Sequence, residues 1–335
     1  MTTLYVVEQG AVLAKSDSRI VVRKGSAILQ EIPLHQLKQV VIFGNAVLTG
    51  AALRALLRQG VDVAYLSRRG AYRGRIQPPC SPHVRLREAQ YRRARDEAFC
   101  LRAGRAFIAA KLAHMGALLR RQRHRPPAVE EALRRLSRLR SRLAEAESLE
   151  EIRGYEGAAT AAYFRGFRSL LRGPSHWGFD RRRAHPPTDP VNVLLSLGYT
   201  LLYNAVHAAV ELVGLDPYRG FYHQPKRGHA ALASDLMEEW RPLIVDSLVL
   251  TLVNRGDLTP DDFRREGPQG QGRVRLRRPG LERFLKHFDR KLDRRVYHPR
   301  LDRRLRYQSC IEHQVRHFVR VLLGQERDYR PFREG

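Results

Sequence analysis

Short apolar runs dominate the first eighty residues. Leu4–Val7, Ala11–Ala14, Ile20–Arg23, Ala27–Leu29 and Val40–Phe43 are rich in β-branched side chains. Gly10, Ser16–Ser18, Lys24–Gly25 and Gly44–Asn45 punctuate them as tight turns would. Thr49–Arg58 predicts a helix with Leu53, Leu56 and Leu57 on one face. Val61–Leu66 and Ala71–Ile76 then return to strand, on either side of a turn at Arg68–Gly70. Pro78, Pro79 and Pro82 end this pattern and predict a linker over residues 81–90. Beyond it the spacing of apolar residues becomes helical. Leu86–Arg121 is long and amphipathic; after a turn at Arg125–Pro127, Val129, Leu133, Leu136, Leu139 and Leu143 step by four, three, three and four. Further helices are expected at Gly157–Leu171, Val191–Leu212, Ala231–Arg255, Leu281–Leu292 and Leu301–Gly324, with a strand pair around Arg273–Leu276. The fold class predicted is α+β: a small N-terminal β-rich domain (1–80), the linker, and a larger all-α C-terminal domain (91–335).

Composition narrows the function. The 335 residues are 43% hydrophobic and 28% charged, a globular balance that excludes disordered and fibrous classes. Lys and Arg number 61 against 34 Asp and Glu, a net charge of +27, which favours a polyanionic partner. Only 7 of those 61 are Lys; Arg suits bidentate phosphate contacts, although a GC-rich genome inflates Arg as well. Cys80, Cys100 and Cys310 form no C-x-x-C pair, which excludes a disulfide framework and a structural zinc site. The opening MTTLYVVEQG lacks the features of a signal peptide. Pro190–Val210 has no formal charge, but Asn192, Ser196, Thr200 and Asn204 recur every four residues, one polar stripe that predicts a buried bundle helix rather than a membrane span. A cytoplasmic protein facing nucleic acid, with no membrane association, is expected.

Three patches could carry chemistry. In Gly154–Phe164 (GYEGAATAAYF), Glu156 is read as opening a helix of small residues, where it either compensates the helix dipole or serves a site. In Gly220–Lys226 (GFYHQPK), His223 sits on a Gly/Pro loop, either as a surface imidazole or as a ligand. In Ala233–Pro242 (ASDLMEEWRP), Asp235 and Glu238 lie at i and i+3 on one helix face, with Arg241 as a counter-ion. Acids and one imidazole together suit Mn²⁺ or Mg²⁺ better than zinc, and such an ion beside DNA polarises a phosphodiester.

GYEGAATAAYF, PPTDPVNVLLSLGYTLLYNAVHAAV, GLDPYRGFYH and SDLMEEWRP, in this order and over nearly the whole chain, resemble the CRISPR-associated endonuclease/integrase family, the catalytic subunit of spacer acquisition. The resemblance implies a metal-dependent DNA enzyme whose Glu, His and second acid fall on Glu156, His223 and Glu238. Asp235 and Arg241 become further ligands or groups that hold the ligands in place, and Lys226 a DNA contact. Glu239, turned about 100° from Glu238 on a helix, is the less suitable acid. The resemblance also implies double-stranded DNA as substrate, a homodimer formed through the β-rich domain, and a small second adaptation protein bridging two dimers. The competing reading is a non-catalytic basic scaffold whose acids are structural; an RNA-directed nuclease would use the same residue types. Gly267–Gly272 lacks the G-K-[ST] of a P-loop. His313 and His317, with Arg316 and Arg320 beside them, are expected to form a basic face.

Overall fold

Two tight hairpins build the first sheet. β2 (Val12–Ser16) and β3 (Arg19–Lys24) pair antiparallel through a two-residue turn in which Asp17 takes φ 49°, a conformation that Asp tolerates. β3 and β4 (Ala27–Pro33) do the same through Gly25 at φ 58°. The short β6 (Val47–Leu48) adds parallel to β2, giving the order β4-β3-β2-β6. A second four-stranded sheet runs β1 (Thr2–Val6), β5 (Leu37–Phe43), β7 (Asp62–Leu66) and β8 (Tyr72–Ile76), parallel except for the last pair. α1 (Gly50–Arg58), capped by Thr49 accepting from the Ala52 amide at 3.3 Å, lies between β6 and β7 in sequence. Leu13, Ile20 and Val22 of one sheet, Leu4, Val40, Ile42 and Val63 of the other, and Leu56 of α1 close a single core. β4 and β5 are longer than their apolar runs predict and β6 is unanticipated. Ladder bonds need no apolar side chain at solvent-facing positions such as Gln30 and Glu31.

This computed structural model describes residues 2–68, 70, 72–76, 83–122, 125–173, 177–183, 187–266 and 273–334. The chain divides into two units, Met1–Cys80 and Ser81–Gly335. The proline cluster at 78–82 and the Gly-rich 267–272 lie outside the described residues.

In the second unit, residues 84–90 are not a linker but the start of α2 (Val84–Arg93). Its Gln90 is buried and saturates a distant loop, donating to the Asp216 and Arg219 carbonyls at 2.7 and 2.8 Å and accepting from the Asp216 amide at 2.9 Å. The predicted helix Leu86–Arg121 breaks here, because Asp96 caps a new helix, α3 (Glu97–Arg120), by accepting from the Phe99 amide at 3.0 Å. α4 (Pro127–Glu145) buries the stripe Val129, Leu136, Leu139 and Leu143, and α5 (Leu149–Arg168) packs along it and α3. α6 (Pro190–Leu212), capped by Asp189, runs through the interior. It is the one helix among the described residues long and apolar enough to cross a membrane, and 67% of its apolar window is buried inside the protein.

The expected helix Ala231–Arg255 is three pieces: α7 (Ala231–Met237), a π-helical turn (Arg241–Asp246) and α8 (Ser247–Arg255). Pro242 has no amide hydrogen for the Glu238 carbonyl, which loosens the ladder at this point. Gly198 of α6 lets the π-turn approach, since a Cβ there would stand 2.5 Å from Val245 Cγ1. α9 (Arg278–Asp293) and α10 (Tyr307–Leu322) are the last long helices among the described residues. The unit is mostly helical rather than all-α. β9 (Phe263–Arg265) pairs with β10 (Val274–Leu276), and β11 (Arg295–His298) with β12 (Arg303–Arg306). The second hairpin replaces the predicted start of the last helix at Leu301, with Asp302 turning the chain at φ 47°.

Candidate active site

Glu156 does not open a helix. Ser148 caps α5, accepting from the Glu151 amide at 3.2 Å, so Glu156 stands two turns in, beyond the reach of the N-terminal dipole. The helix-dipole reading therefore fails. Its carboxylate instead has two side-chain partners: Tyr222 Oη donates to Oε2 at 2.6 Å, and Lys111 Nζ of α3 donates to Oε1 at 2.5 Å. Lys111 is 2% exposed and stands equally close to Glu238, with Nζ 2.6 Å from Oε2. Arg241 donates to the other Glu238 oxygen at 2.8 Å. Glu238 is 1% exposed. Burial opposes its charge, but Arg241, Lys111 and His223 outweigh that effect and hold it well below the usual carboxylate range.

Asp235, fully buried, organises the loop that presents His223. Its Oδ2 accepts from the Phe221 and Tyr222 amides at 2.6 and 3.1 Å, and its Oδ1 from the His223 amide at 2.8 Å and His223 Nδ1 at 2.7 Å. Gly220 makes the approach feasible; a Cβ there would meet Ala231 Cβ at 2.8 Å and Asp235 Oδ2 at 2.9 Å. A carboxylate on Nδ1 fixes the proton there and turns Nε2 outward as the free ring nitrogen, 4.0 Å from Glu238 Oε1. Burial works against a charged imidazole, but Asp235, Glu238 and Glu156 together raise its pKa.

A second layer lies behind Arg241. Its guanidinium sits 4.2 Å from the ring centroid of Tyr199, whose hydroxyl donates at 2.5 Å to the buried Asp246; Tyr163 donates to the other oxygen at 2.9 Å. Burial raises the Asp246 pKa. Glu239, in the turn between α7 and the π-turn, points elsewhere. It accepts from Tyr329 Oη and the Phe332 amide, each at 2.7 Å, and burial pushes its carboxyl up to about 8. His317 does not lie on a basic face. It is buried, stacks on Tyr329 and accepts from the Arg330 amide at 2.9 Å, because the C-terminal segment folds back over α10. Lys226 is exposed in a turn closed by its pairing with His229.

The structure thus gathers Glu156, His223, Asp235, Glu238 and Arg241, and leaves Lys226 on the surface. Among the described residues no group of three or more His, Cys, Asp or Glu is closed up tightly enough to hold a metal ion, since the Lys111 ammonium fills the gap between the two glutamates. The donor set still fits a hard divalent cation. Two carboxylates already share one cation, Glu238 Oε2 makes no aligned hydrogen bond, and Nε2 faces the same acids. Sequence reasoning missed Lys111, Tyr222, Tyr199 and Asp246. One signal for Lys111 was present: it is the single Lys or Arg between Arg105 and Arg120, in a chain with only 7 Lys.

A β-rich unit followed by a helical unit with converging acids and an imidazole, on a strongly basic chain, defines a nuclease-type enzyme. The profile of the family described as CRISPR associated protein Cas1 matches residues 4–290. Over 334 residues the chain is 36% identical to CRISPR-associated endonuclease Cas1 3 of Thermus thermophilus, covering 98% of this chain and 96% of that one. Over 333 residues it is 38% identical to a CRISPR-associated exonuclease Cas4/endonuclease Cas1 fusion of Geobacter sulfurreducens, covering 96% of this chain and 58% of the fusion's length. A solved structure, a Cas6-RT-Cas1–Cas2 complex, superposes with a TM-score of 0.84 at 26% identity, over 99% of this chain and 36% of that one. The chain belongs to the Cas1 family, the endonuclease/integrases of CRISPR spacer acquisition.

Proposed function

We propose that Glu156, His223 and Glu238 hold a divalent ion, Mn²⁺ or Mg²⁺, and that the protein inserts DNA fragments into a CRISPR array by transesterification. One observation carries this reading: carboxylates from two separate segments share a single cation, at 2.5 and 2.6 Å, beside a histidine whose other nitrogen is already committed. When bound, the ion supplies charge neutralisation at the phosphate and a more acidic attacking hydroxyl. The chain's own groups prepare the site. Asp235 keeps the proton on His223 Nδ1, Tyr222 aims Glu156, and Arg241, held over Tyr199, keeps Glu238 ionised. In the reaction a 3′-oxygen of the fragment forms a bond to phosphorus of the repeat. The bond from that phosphorus to its original 3′-oxygen breaks. The attacking hydroxyl gives its proton to solvent and the leaving oxygen takes one up, so one phosphodiester replaces another and no nucleotide cofactor is needed.

Double-stranded DNA is held through dispersed Arg–phosphate contacts. The Met1–Cys80 unit mediates a homodimer, and a Cas2-like protein bridges two dimers, in keeping with the assembly named for the Cas6-RT-Cas1–Cas2 relative. The protein works in the cytoplasm, where its DNA lies. The scaffold reading is disfavoured because burying carboxylates against a lysine, an arginine and a histidine is a costly arrangement for groups with no chemical role.

The test is half-site integration into a repeat-bearing plasmid, with and without Mn²⁺. Glu156→Ala and His223→Ala should abolish strand transfer while duplex binding stays within a few-fold of wild type. Strand transfer at the wild-type rate in Glu156→Ala would sink the assignment.

A further inference from the structure

Lys111 is the charged group of the site that neither the family motifs nor its spacing singled out. Lys111 is buried on α3, and its ammonium lies between Glu156 Oε1 and Glu238 Oε2 at 2.5 and 2.6 Å. Glu238 Oε1 is taken by Arg241 and Glu156 Oε2 by Tyr222. Glu156 and Glu238 therefore already have two resident positive charges, Lys111 and Arg241, between them. Lys111 Nζ and Glu238 Oε2 form a close, buried ion pair at 2.6 Å. A divalent cation shared by the same two oxygens would need the gap that the ammonium fills.

We propose that Lys111 is a positioning residue, a tethered counter-cation that holds the Glu156 and Glu238 carboxylates together in ion-free protein and competes with the divalent ion for them. This rests on the reading of Glu156, His223 and Glu238 as the ion-binding cluster. Removing one charge of a mutually repelling acid pair's neutralising set leaves those acids destabilised until an ion arrives. The same removal takes away the competitor. Stability without metal and affinity for metal must then move in opposite directions, which an ordinary structural ion pair would not produce.

The experiment titrates purified full-length wild type, Lys111→Met, Lys111→Gln and Glu156→Gln with Mn²⁺ alone by calorimetry, and records melting with and without Mn²⁺. Met keeps the unbranched apolar stem, and Gln provides the same comparison should the Met variant not accumulate. Relative to wild type, the Lys111 variants should melt lower without Mn²⁺, gain a larger Mn²⁺-dependent rise, and bind Mn²⁺ on the order of tenfold tighter or more. Equal or weaker Mn²⁺ binding by the Lys111 variants overturns the proposal. Glu156→Gln separates the two levels of the reading. If it loses Mn²⁺ binding while the Lys111 variants bind no tighter than wild type, the cluster stands and the role of Lys111 falls. If Glu156→Gln binds as wild type does, the cluster assignment fails and takes the proposal with it.

Discussion

Asp235→Asn changes one atom of the group that holds the His223 loop, and its consequences can be worked out from four hydrogen bonds. Asp235 accepts from three backbone amides and from His223 Nδ1, all within 3.1 Å, and is itself without solvent exposure. An amide keeps the shape but replaces one oxygen by a donor. With the NH₂ on one side it faces the Phe221 and Tyr222 amides; on the other it faces the His223 amide and ring. Either way, two donors lose their acceptor or at least one backbone amide is orphaned. At about 1–3 kcal/mol for each buried unsatisfied group, the loss of stability is roughly 2–6 kcal/mol. For a unit of this size that lowers the melting temperature by on the order of 10 °C. The loss of an anionic acceptor also frees the imidazole tautomer, so strand transfer should fall by about 10–100-fold even where the variant is fully folded. Melting followed by circular dichroism and strand transfer assayed well below the transition check both parts. A variant that melts within about 2 °C of wild type and integrates normally would falsify this account of Asp235.

Other perturbations test other parts of the structure. Glu239 is protonated in the fold up to about pH 8 and ionises near its ordinary value when unfolded, so it binds more protons in the native state between those limits. Its contribution is fully present below the unfolded pKa and is lost as pH rises through the folded one. Glu239→Gln should therefore gain melting temperature relative to wild type as pH goes from 5 to 9, about the two limits of that window, with strand transfer retained; a difference that stays flat with pH contradicts the assignment. Gly220→Ala forces a Cβ to within 3 Å of Ala231 and Asp235, and should cost about 1–3 kcal/mol and shift the loop, read as lower melting and weaker strand transfer together. Duplex affinity should fall steeply and log-linearly with salt; a slope near zero would remove phosphate contacts as the role of the +27 charge.

Local information determined much of this protein. Hairpin turns at Asp17–Ser18 and Gly25–Ser26 and the α4 stripe depend on neighbours in sequence, and all stand near where the pattern predicts them. Charge and residue types placed Glu156, His223, Asp235, Glu238 and Arg241 among the residues of interest. What they do was decided in three dimensions. Glu156 changed from a helix-opening acid to a mid-helix acid because Ser148, and not a nearer residue, caps α5. Asp235 and Glu238 share a stretch of chain, but only the fold sends Asp235 to the His223 loop and Glu238 to Lys111. Glu239 is separated from Glu238 by a C-terminal segment 90 residues away that supplies Tyr329. Lys111 and Glu156 meet across 45 residues, and no periodicity in either helix specifies which facing side chains will touch. Secondary structure follows short-range preferences, whereas the pairing of buried charges is set by which helices pack and where a small residue such as Gly220 or Gly198 permits close approach.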